Sequence, residues 1–214
     1  MNKLLSIKNL SKVYYKGKAE TEAIKDISFD IEEGEFVSIV GPSGCGKSTL
    51  LNILTNMDTL TKGNINLKEN LKLGYMLQSD SMLEWLTVLD NALLGLDIKK
   101  IKTEENKNYV KSLFEKYGLA EFMDKYPSEL SGGMRQRVAL IRTLALKPDI
   151  LILDEPFSKL DYQSRLKVSD DVYKIIKQEG KTALMVTHDI SEAISVSDRC
   201  LLYTSDAADD LTRV

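Results

Sequence analysis

The chain opens with stretches in which apolar and polar positions alternate, Leu4-Ser-Ile-Lys-Asn-Leu10 and then Ile27-Ser-Phe-Asp-Ile31. A period of two sends successive side chains to opposite faces, so both read as half-buried antiparallel strands. Glu35-Phe-Val-Ser-Ile-Val40 ends almost wholly apolar and meets Gly41, as a strand buried on both faces would. Helical spacing begins at about Lys47 and runs through Leu50, Leu51, Ile53 and Leu54, and Leu73-Gly-Tyr-Met-Leu77 reads as a further strand. Residues 85–146 are mostly helical in pattern, with breaks at Gly118, Pro127 and Gly132-Gly133. Two more apolar runs, 150–153 and 182–187, flank a helix over 162–179 that stops at Gly180, a usual C-terminal cap. Strand–helix–strand behind a β-rich N-terminal part predicts an α/β core with a helical insertion. No repeat or low-complexity tract is visible.

Composition narrows the class further. The 214 residues are 43% hydrophobic and 29% charged, enough for one domain with a real core. Lys+Arg (29) and Asp+Glu (32) leave a net charge of −3, whereas a general nucleic-acid binder would carry a basic excess, so no nucleic-acid partner is expected. The start, MNKLLSIKNL, has no apolar run long enough for a signal peptide or a span, and residues 82–96 are interrupted by Glu84, Asp90 and Asn91. Cys45 and Cys200 are too few for a disulfide framework or a four-cysteine zinc site. The expectation is a soluble, reduced, cytosolic protein.

Candidate chemistry starts at Gly41-Pro42-Ser43-Gly44-Cys45-Gly46-Lys47-Ser48-Thr49, which fits G-x-x-x-x-G-K-[ST] between a strand and a helix. Glycines let successive backbone N–H groups approach phosphate oxygens, and the helix N-terminus adds partial positive charge. Lys47 reaches the β- and γ-phosphates and the Ser48 hydroxyl can ligate Mg²⁺. The bland reading, a glycine-rich turn without a ligand, is disfavoured by the flanking elements. Cys45 reads as a small filler or, more sharply, as a thiol made reactive by the helix N-terminus.

Ile150-Leu-Ile-Leu-Asp154-Glu155-Pro156 is an apolar strand ending in two carboxylates. Asp154 is placed to hold Mg²⁺ through water and Glu155 to polarise the attacking water. Alone this is a weak signal; after a phosphate loop it makes a two-part nucleotide site. Leu130-Ser131-Gly132-Gly133-Met134-Arg135-Gln136-Arg137 could be an ordinary N-capped helix start, or a set of donors offered to an anion.

In this order the motifs resemble the phosphate loop, paired carboxylates and LSGGQ-type signature of ATP-binding-cassette (ABC) ATPases, with the resemblance covering residues 1–199. It implies a P-loop NTPase core, mostly a parallel sheet with an antiparallel N-terminal β subdomain, plus an inserted helical subdomain at about 85–146. It also implies that Tyr14 stacks on adenine, with Tyr15 adjacent and either one open to a plain surface-strand reading. Gln78 resembles the glutamine that ligands Mg²⁺ and senses a membrane partner, and Ser158-Lys159-Leu160-Asp161 resembles the D-loop. His188, the chain's single histidine, resembles the switch residue that contacts the γ-phosphate. With 77–91, LSGGMRQR and DEPFSKLD, the chain is most similar to importer ATPases of the nitrate/sulfonate/taurine group. That group usually has Pro, Ala and Gly where Glu84, Lys159 and Asn56 stand. Trp85 reads either as part of the surface facing a permease or as a buried aromatic at a helix start.

The resemblance implies a homodimer sandwiching two ATP molecules with Mg²⁺, Ser131 and Gly133 of one copy completing the other's site. The dimer would sit at the cytoplasmic face of the membrane on permease subunits, and act indirectly with an extracytoplasmic solute-binding protein. The rivals are an exporter or lipoprotein-release ATPase, for which LSGGQ-Q is expected in place of Met134-Arg135, and a nucleotide-binding module without hydrolysis. A non-transport ABC protein would need coiled-coil insertions, zinc cysteines or tandem cassettes. The family pattern stops at Arg199. Residues Cys200–Asp209 are what TGT CTC TTA TAC ACA TCT GAC GCT GCC GAC encodes, a string resembling a transposase-type sequencing adapter. Residues 200–214 are therefore expected to be a non-native tail on a truncated 1–199 domain, against the plain reading of a final strand and a frayed end.

Overall fold

The computed structural model describes residues 2–17, 19–204 and 207–211. Strands β1 (Lys3–Lys16) and β2 (Ala19–Glu32) pair antiparallel along most of their length, and β3 (Phe36–Val40) leads through the glycine loop into α1 (Lys47–Leu54). Then β4 (Lys62–Leu67) returns to the other edge of β1, and β5 (Leu73–Met76) opens the second sheet. Helices α2 (Val88–Ile98), α3 (Glu104–Lys116) and α4 (Gly132–Leu144) follow. The chain closes with β6 (Ile150–Asp154), α5 (Tyr162–Gln178), β7 (Thr182–Thr187), α6 (Ile190–Val196), β8 (Arg199–Thr204) and β9 (Ala207–Leu211). The sheets run β2-β1-β4, antiparallel, and β5-β6-β7-β3-β8-β9, parallel except for β9.

The apolar runs are explained by layers on both faces of the larger sheet. Leu151 and Leu153 of β6, with Ala183 and Met185 of β7, join the core under α2 to α5. Their neighbours Ile150, Ile152, Leu184 and Val186 face the opposite way, into a second core shared with α1 and the antiparallel sheet. A strand covered on both sides cannot alternate, which is why β3, β6 and β7 read as continuous hydrophobic segments. In β8, Leu201 and Tyr203 enter the second core.

The helices start where side chains accept their first free amides. Thr87 accepts from Asp90 N, Thr103 from Asn106 N, Ser131 from Met134 N, Asp161 from Ser164 N and Asp189 from the amides of Ser191 and Glu192. Gly132-Gly133, expected as a break, instead begin α4, because the cap precedes them and the crowded packing described below excludes larger residues. β1 and β2 extend well beyond 4–10 and 27–31, since pairing with each other carries their polar ends. Among the described residues no helix is long and apolar enough to cross a membrane.

Candidate nucleotide-binding site

Among the α-helices of the described residues, α1 is the exception: its cap is Gly46, at φ +103°, and no side chain accepts from its first turn. Nor does that turn carry an acidic residue. Its leading amides and partial positive charge are thus left for an outside anion. Gly46 is required there, because a Cβ would stand 2.0 Å from the carbonyl oxygen of Ala23 in β2. Lys47 is nearly buried and curls back over the loop, its Nζ donating to the carbonyls of Gly41 (2.7 Å) and Pro42 (2.9 Å). Cys45 Sγ is 3.7 Å from that ammonium. Pro42, Ser43, Gly44 and Ser48 are exposed and Thr49 is half-buried.

A cleft of about 330 Å³ opens over the loop, and Ser43, Lys47, Ser48, Gln78, Asp154 and Glu155 share its wall. Asp154, at the tip of β6, accepts a 3.0 Å hydrogen bond from the Tyr75 hydroxyl. Burial raises its pKa, with the neighbouring Glu155 charge adding to the effect and the Tyr75 bond opposing it. Glu155 follows in a left-handed backbone conformation, φ +42°, with its N–H donating to Val186 O of β7 at 2.9 Å. That turn brings Glu155 Oε2 to 3.2 Å from Gln78 Nε2 and 3.3 Å from His188 Nδ1. Gln78 also donates to Ser158 Oγ at 3.3 Å. The ends of β5, β6 and β7 therefore bring Gln78, Asp154, Glu155 and His188 together beside the phosphate loop, at the carboxyl edge where open α/β sheets bind ligands.

Among the described residues no group of three or more His, Cys, Asp or Glu could hold a metal by itself. On the cleft wall Ser48, Gln78 and Asp154 together present a hydroxyl, an amide oxygen and a carboxylate. Such hard oxygen donors fit Mg²⁺ shared with water and phosphate.

Ser131, Gly132, Gly133 and Asp161 do not line this cleft. Ser131 and Gly132 are exposed at the start of α4. A Cβ on Gly133 would be 2.6 Å from Val168 Cγ2, and one on Gly132 3.0 Å from Leu160 Cδ2. Both glycines thus let α4 lie close against α5 and the 158–161 loop. Asp161 caps α5 through its hydrogen bonds to Ser164, which hold its pKa down. Tyr14 lies outside the cleft wall, its ring 41% exposed and its hydroxyl donating to Asp58; Tyr15 is more exposed still.

Trp85 is 74% exposed, which removes the buried-aromatic reading: it precedes the Thr87 cap of α2 and points to solvent. The three departures from the group pattern have local accounts. Asn56 occupies a left-handed position, φ +58°, just beyond α1, which Asn tolerates better than most residues in place of Gly. Glu84 pairs with Arg135 of α4 at 2.7 Å, beside the Arg135–Asp80 pair at 2.9 Å. Lys159 is exposed.

Sequence reading missed Tyr75 as a partner of Asp154, because that contact depends on the parallel register of β5 with β6. It also missed Arg165, which bonds Asp189 Oδ2 next to His188 and Leu160 O in the 158–161 loop, both at 3.2 Å. A single arginine in a helix gives no sequence signal of such a role.

A family model described as "ABC transporter" matches residues 24–158. The chain is 45% identical over 208 residues to the uncharacterized ABC transporter ATP-binding protein YtlC of Bacillus subtilis, covering 94% of the chain and 80% of that protein. It is 37% identical over 218 residues to the nitrate transport protein NasD of Klebsiella oxytoca, covering 97% and 83%. Its fold matches the dimeric post-hydrolysis state of the ATP-binding cassette MJ0796 bound to ADP and Pi, at 32% identity and a TM-score of 0.78, covering 98% of this chain and 100% of that one.

Proposed function

The chain belongs to the ABC transporter family, whose cassettes are ATPases coupled to transport, and from that premise we propose that it powers an importer of a small solute of the nitrate, sulfonate or taurine type. The similarity to a nitrate transport protein supports import, while the solute is chosen by proteins that this chain does not contain. It would work as a homodimer at the cytoplasmic face of the membrane, bound to permease subunits and indirectly served by a solute-binding protein.

The observation that carries the reading is the meeting of Gln78, Glu155 and His188 beside an uncapped helix N-terminus. In the proposed site the backbone amides of Ser43, Gly44 and residues 46–49 and the Lys47 ammonium hold the β- and γ-phosphates, and the Tyr14 ring receives the adenine. Ser48, Gln78 and Asp154 are the residues that would hold Mg²⁺, which supplies charge neutralisation on the phosphate oxygens when bound. Glu155 accepts the proton of the attacking water, and His188 contacts the γ-phosphate. Ser131, Gly132 and Gly133, exposed or half-exposed and outside their own cleft, complete the site of a second copy, with Asp161 at the junction. The Gln78 loop and the exposed Trp85 beside it would carry closure to the permease.

Complementation between two inactive variants tests the shared site. Lys47→Ala and Ser131→Arg should each lose ATP turnover. Mixed in equal amounts, half the dimers would hold one intact site of two, so about a quarter of the parent activity should return if the sites act independently. No recovery, with dimers forming normally, would overturn the shared site.

We further take residues 1–199 as native cassette sequence, part of the domain and not the whole of it, with the helical subdomain at about 85–146, and 200–214 as a non-native tail. Cys200-Leu-Leu-Tyr203 would then fill the β8 position because its unbroken apolar run suits a slot beside β3. Sequencing the source locus across the Arg199 codon tests this; a native frame reading through to Val214 would refute it.

A further inference from the structure

The reading of Tyr14 as the adenine platform leaves open what holds its ring in place, and the residues that do so lie on its own strand and in the turn after α1. Lys12 and Tyr14 are two apart on β1 and so share a face. The Lys12 ammonium lies 4.8 Å from the centroid of the Tyr14 ring, a cation–π distance. It therefore occupies one face of a ring that is 41% exposed, leaving the other for a flat ligand. The same ammonium pairs with Asp58 Oδ1 at 2.6 Å and donates to Thr59 O at 2.5 Å, and the Lys12 side chain is only 9% exposed. The second carboxylate oxygen of Asp58 takes the Tyr14 hydroxyl, and its first also accepts from Thr59 N. Lys12, then Tyr14, then the Thr59 amide hold the Asp58 carboxyl down to about 2, so it stays an acceptor for both side chains.

Asp58 stands in the turn that leaves α1. Its own N–H, at 3.1 Å, and that of Met57, at 2.8 Å, both bond the carbonyl of Asn52 within α1. That helix carries Lys47, Ser48 and Thr49 at its other end and spans about 12 Å for its eight residues. The ring is thus anchored to the element that would hold the phosphates, and only its backbone belongs to the antiparallel sheet.

We propose that Lys12 and Asp58 are positioning residues for the nucleotide base, acting through Tyr14: they fix the ring plane and tie it to the C-terminal turn of α1, so that one rigid helix sets the spacing between base and phosphates. Neither residue touches the nucleotide. The inference rests on the reading of Tyr14 as the platform, and it adds a prediction that the platform alone does not make. A probe without a base is indifferent to both residues.

The experiment measures the affinity of the full chain for ATP and for inorganic tripolyphosphate, by calorimetry, in the parent and in Lys12→Met, Asp58→Asn, Tyr14→Phe and Tyr14→Ala. Tyr14→Ala should weaken ATP by about 10- to 100-fold, the usual loss when an aromatic under a base is removed. Lys12→Met and Asp58→Asn should each weaken ATP by about fivefold, the scale of one hydrogen bond or cation–π contact. Tripolyphosphate affinity should hold within about twofold throughout. Tyr14→Phe removes only the hydroxyl that bonds Asp58 and should lose no more than Asp58→Asn, which also weakens the Lys12 pair; the double variant should lose less than the sum of the two, since they share that contact. Equal losses for ATP and tripolyphosphate in the Lys12 or Asp58 variants would mean a structural staple and overturn the proposal, as would no loss for either probe. Unchanged ATP affinity in Tyr14→Ala would instead overturn the platform reading itself, a separate outcome.

Discussion

Replacing Glu155 by Gln isolates the proposed proton transfer from everything else in the site. The carboxylate accepts from Gln78 Nε2 at 3.2 Å and faces His188 Nδ1 at 3.3 Å. Both contacts fall on one oxygen, Oε2, so an amide of the same volume that places its own oxygen there still accepts from Gln78 and keeps the side chain in its position. The backbone at position 155, with its N–H on Val186 O, is untouched. Stability should therefore change by less than about 1 kcal/mol. What the amide cannot do is take a proton. A positioned general base is worth about 10²- to 10⁴-fold, or roughly 3–5 kcal/mol of barrier at about 1.4 kcal/mol per decade. Phosphate release by Glu155→Gln should fall by that factor, while ATP affinity, read by calorimetry, stays within about twofold. With hydrolysis blocked, ATP-bound dimers should accumulate in size-exclusion chromatography with Mg²⁺ present. Turnover within tenfold of the parent would remove Glu155 as the base and shift attention to His188.

Two further outcomes are expected. In a Cys200→Ser background, labelling Cys45 with a maleimide should abolish ATP hydrolysis, because its sulfur sits 3.7 Å from Lys47 Nζ, and ATP should protect; full labelling with unchanged turnover would refute this. Glu192 is 6% exposed, and burial raises its pKa against the opposing bond from Thr187. A raised native pKa makes its contribution to stability complete below the ordinary carboxylate range and lost as pH rises through the native value. Glu192→Gln does not titrate, so its melting temperature should gain on the parent as pH rises from 4 to 8; parallel pH profiles for the two proteins would contradict it.

The parts of the fold that sequence made legible are those whose signal is local. β7 runs over 182–187 as expected, and β6 differs only by including Asp154, because strands buried on both faces leave an unbroken apolar run between polar ends. β4, Lys62–Leu67, was not foreseen: an edge strand with Lys62, Asn64 and Asn66 in it gives little apolar signal, and only its pairing with β1 defines it. α6 spans seven residues and depends on the Asp189 cap, too short for periodicity to show. In the site, residues adjacent in sequence to a motif could be read, since Gly41–Thr49, Asp154-Glu155 and His188 each announce themselves. Residues that serve a motif from another element could not. Tyr75 reaches Asp154 across two strands, Asp58 reaches Tyr14 from beyond α1, and Arg165 reaches Asp189 from α5. Each depends on how the layers stack, which no single segment encodes.

The left-handed backbone at Glu155 has a consequence for how this chain responds to selection. A φ of +42° costs a residue with a Cβ roughly 1–2 kcal/mol, and glycine almost nothing. The Val186 carbonyl holds the peptide there, so relaxation would mean breaking the junction of β6 with β7. Position 155 is thus a place where glycine would make a more durable protein and leave no proton acceptor. A library of variants sorted for heat resistance alone should drift toward glycine at this position, whereas one sorted for turnover should keep the acid. A thermostabilised descendant should therefore be sequenced at codon 155 before its activity is trusted.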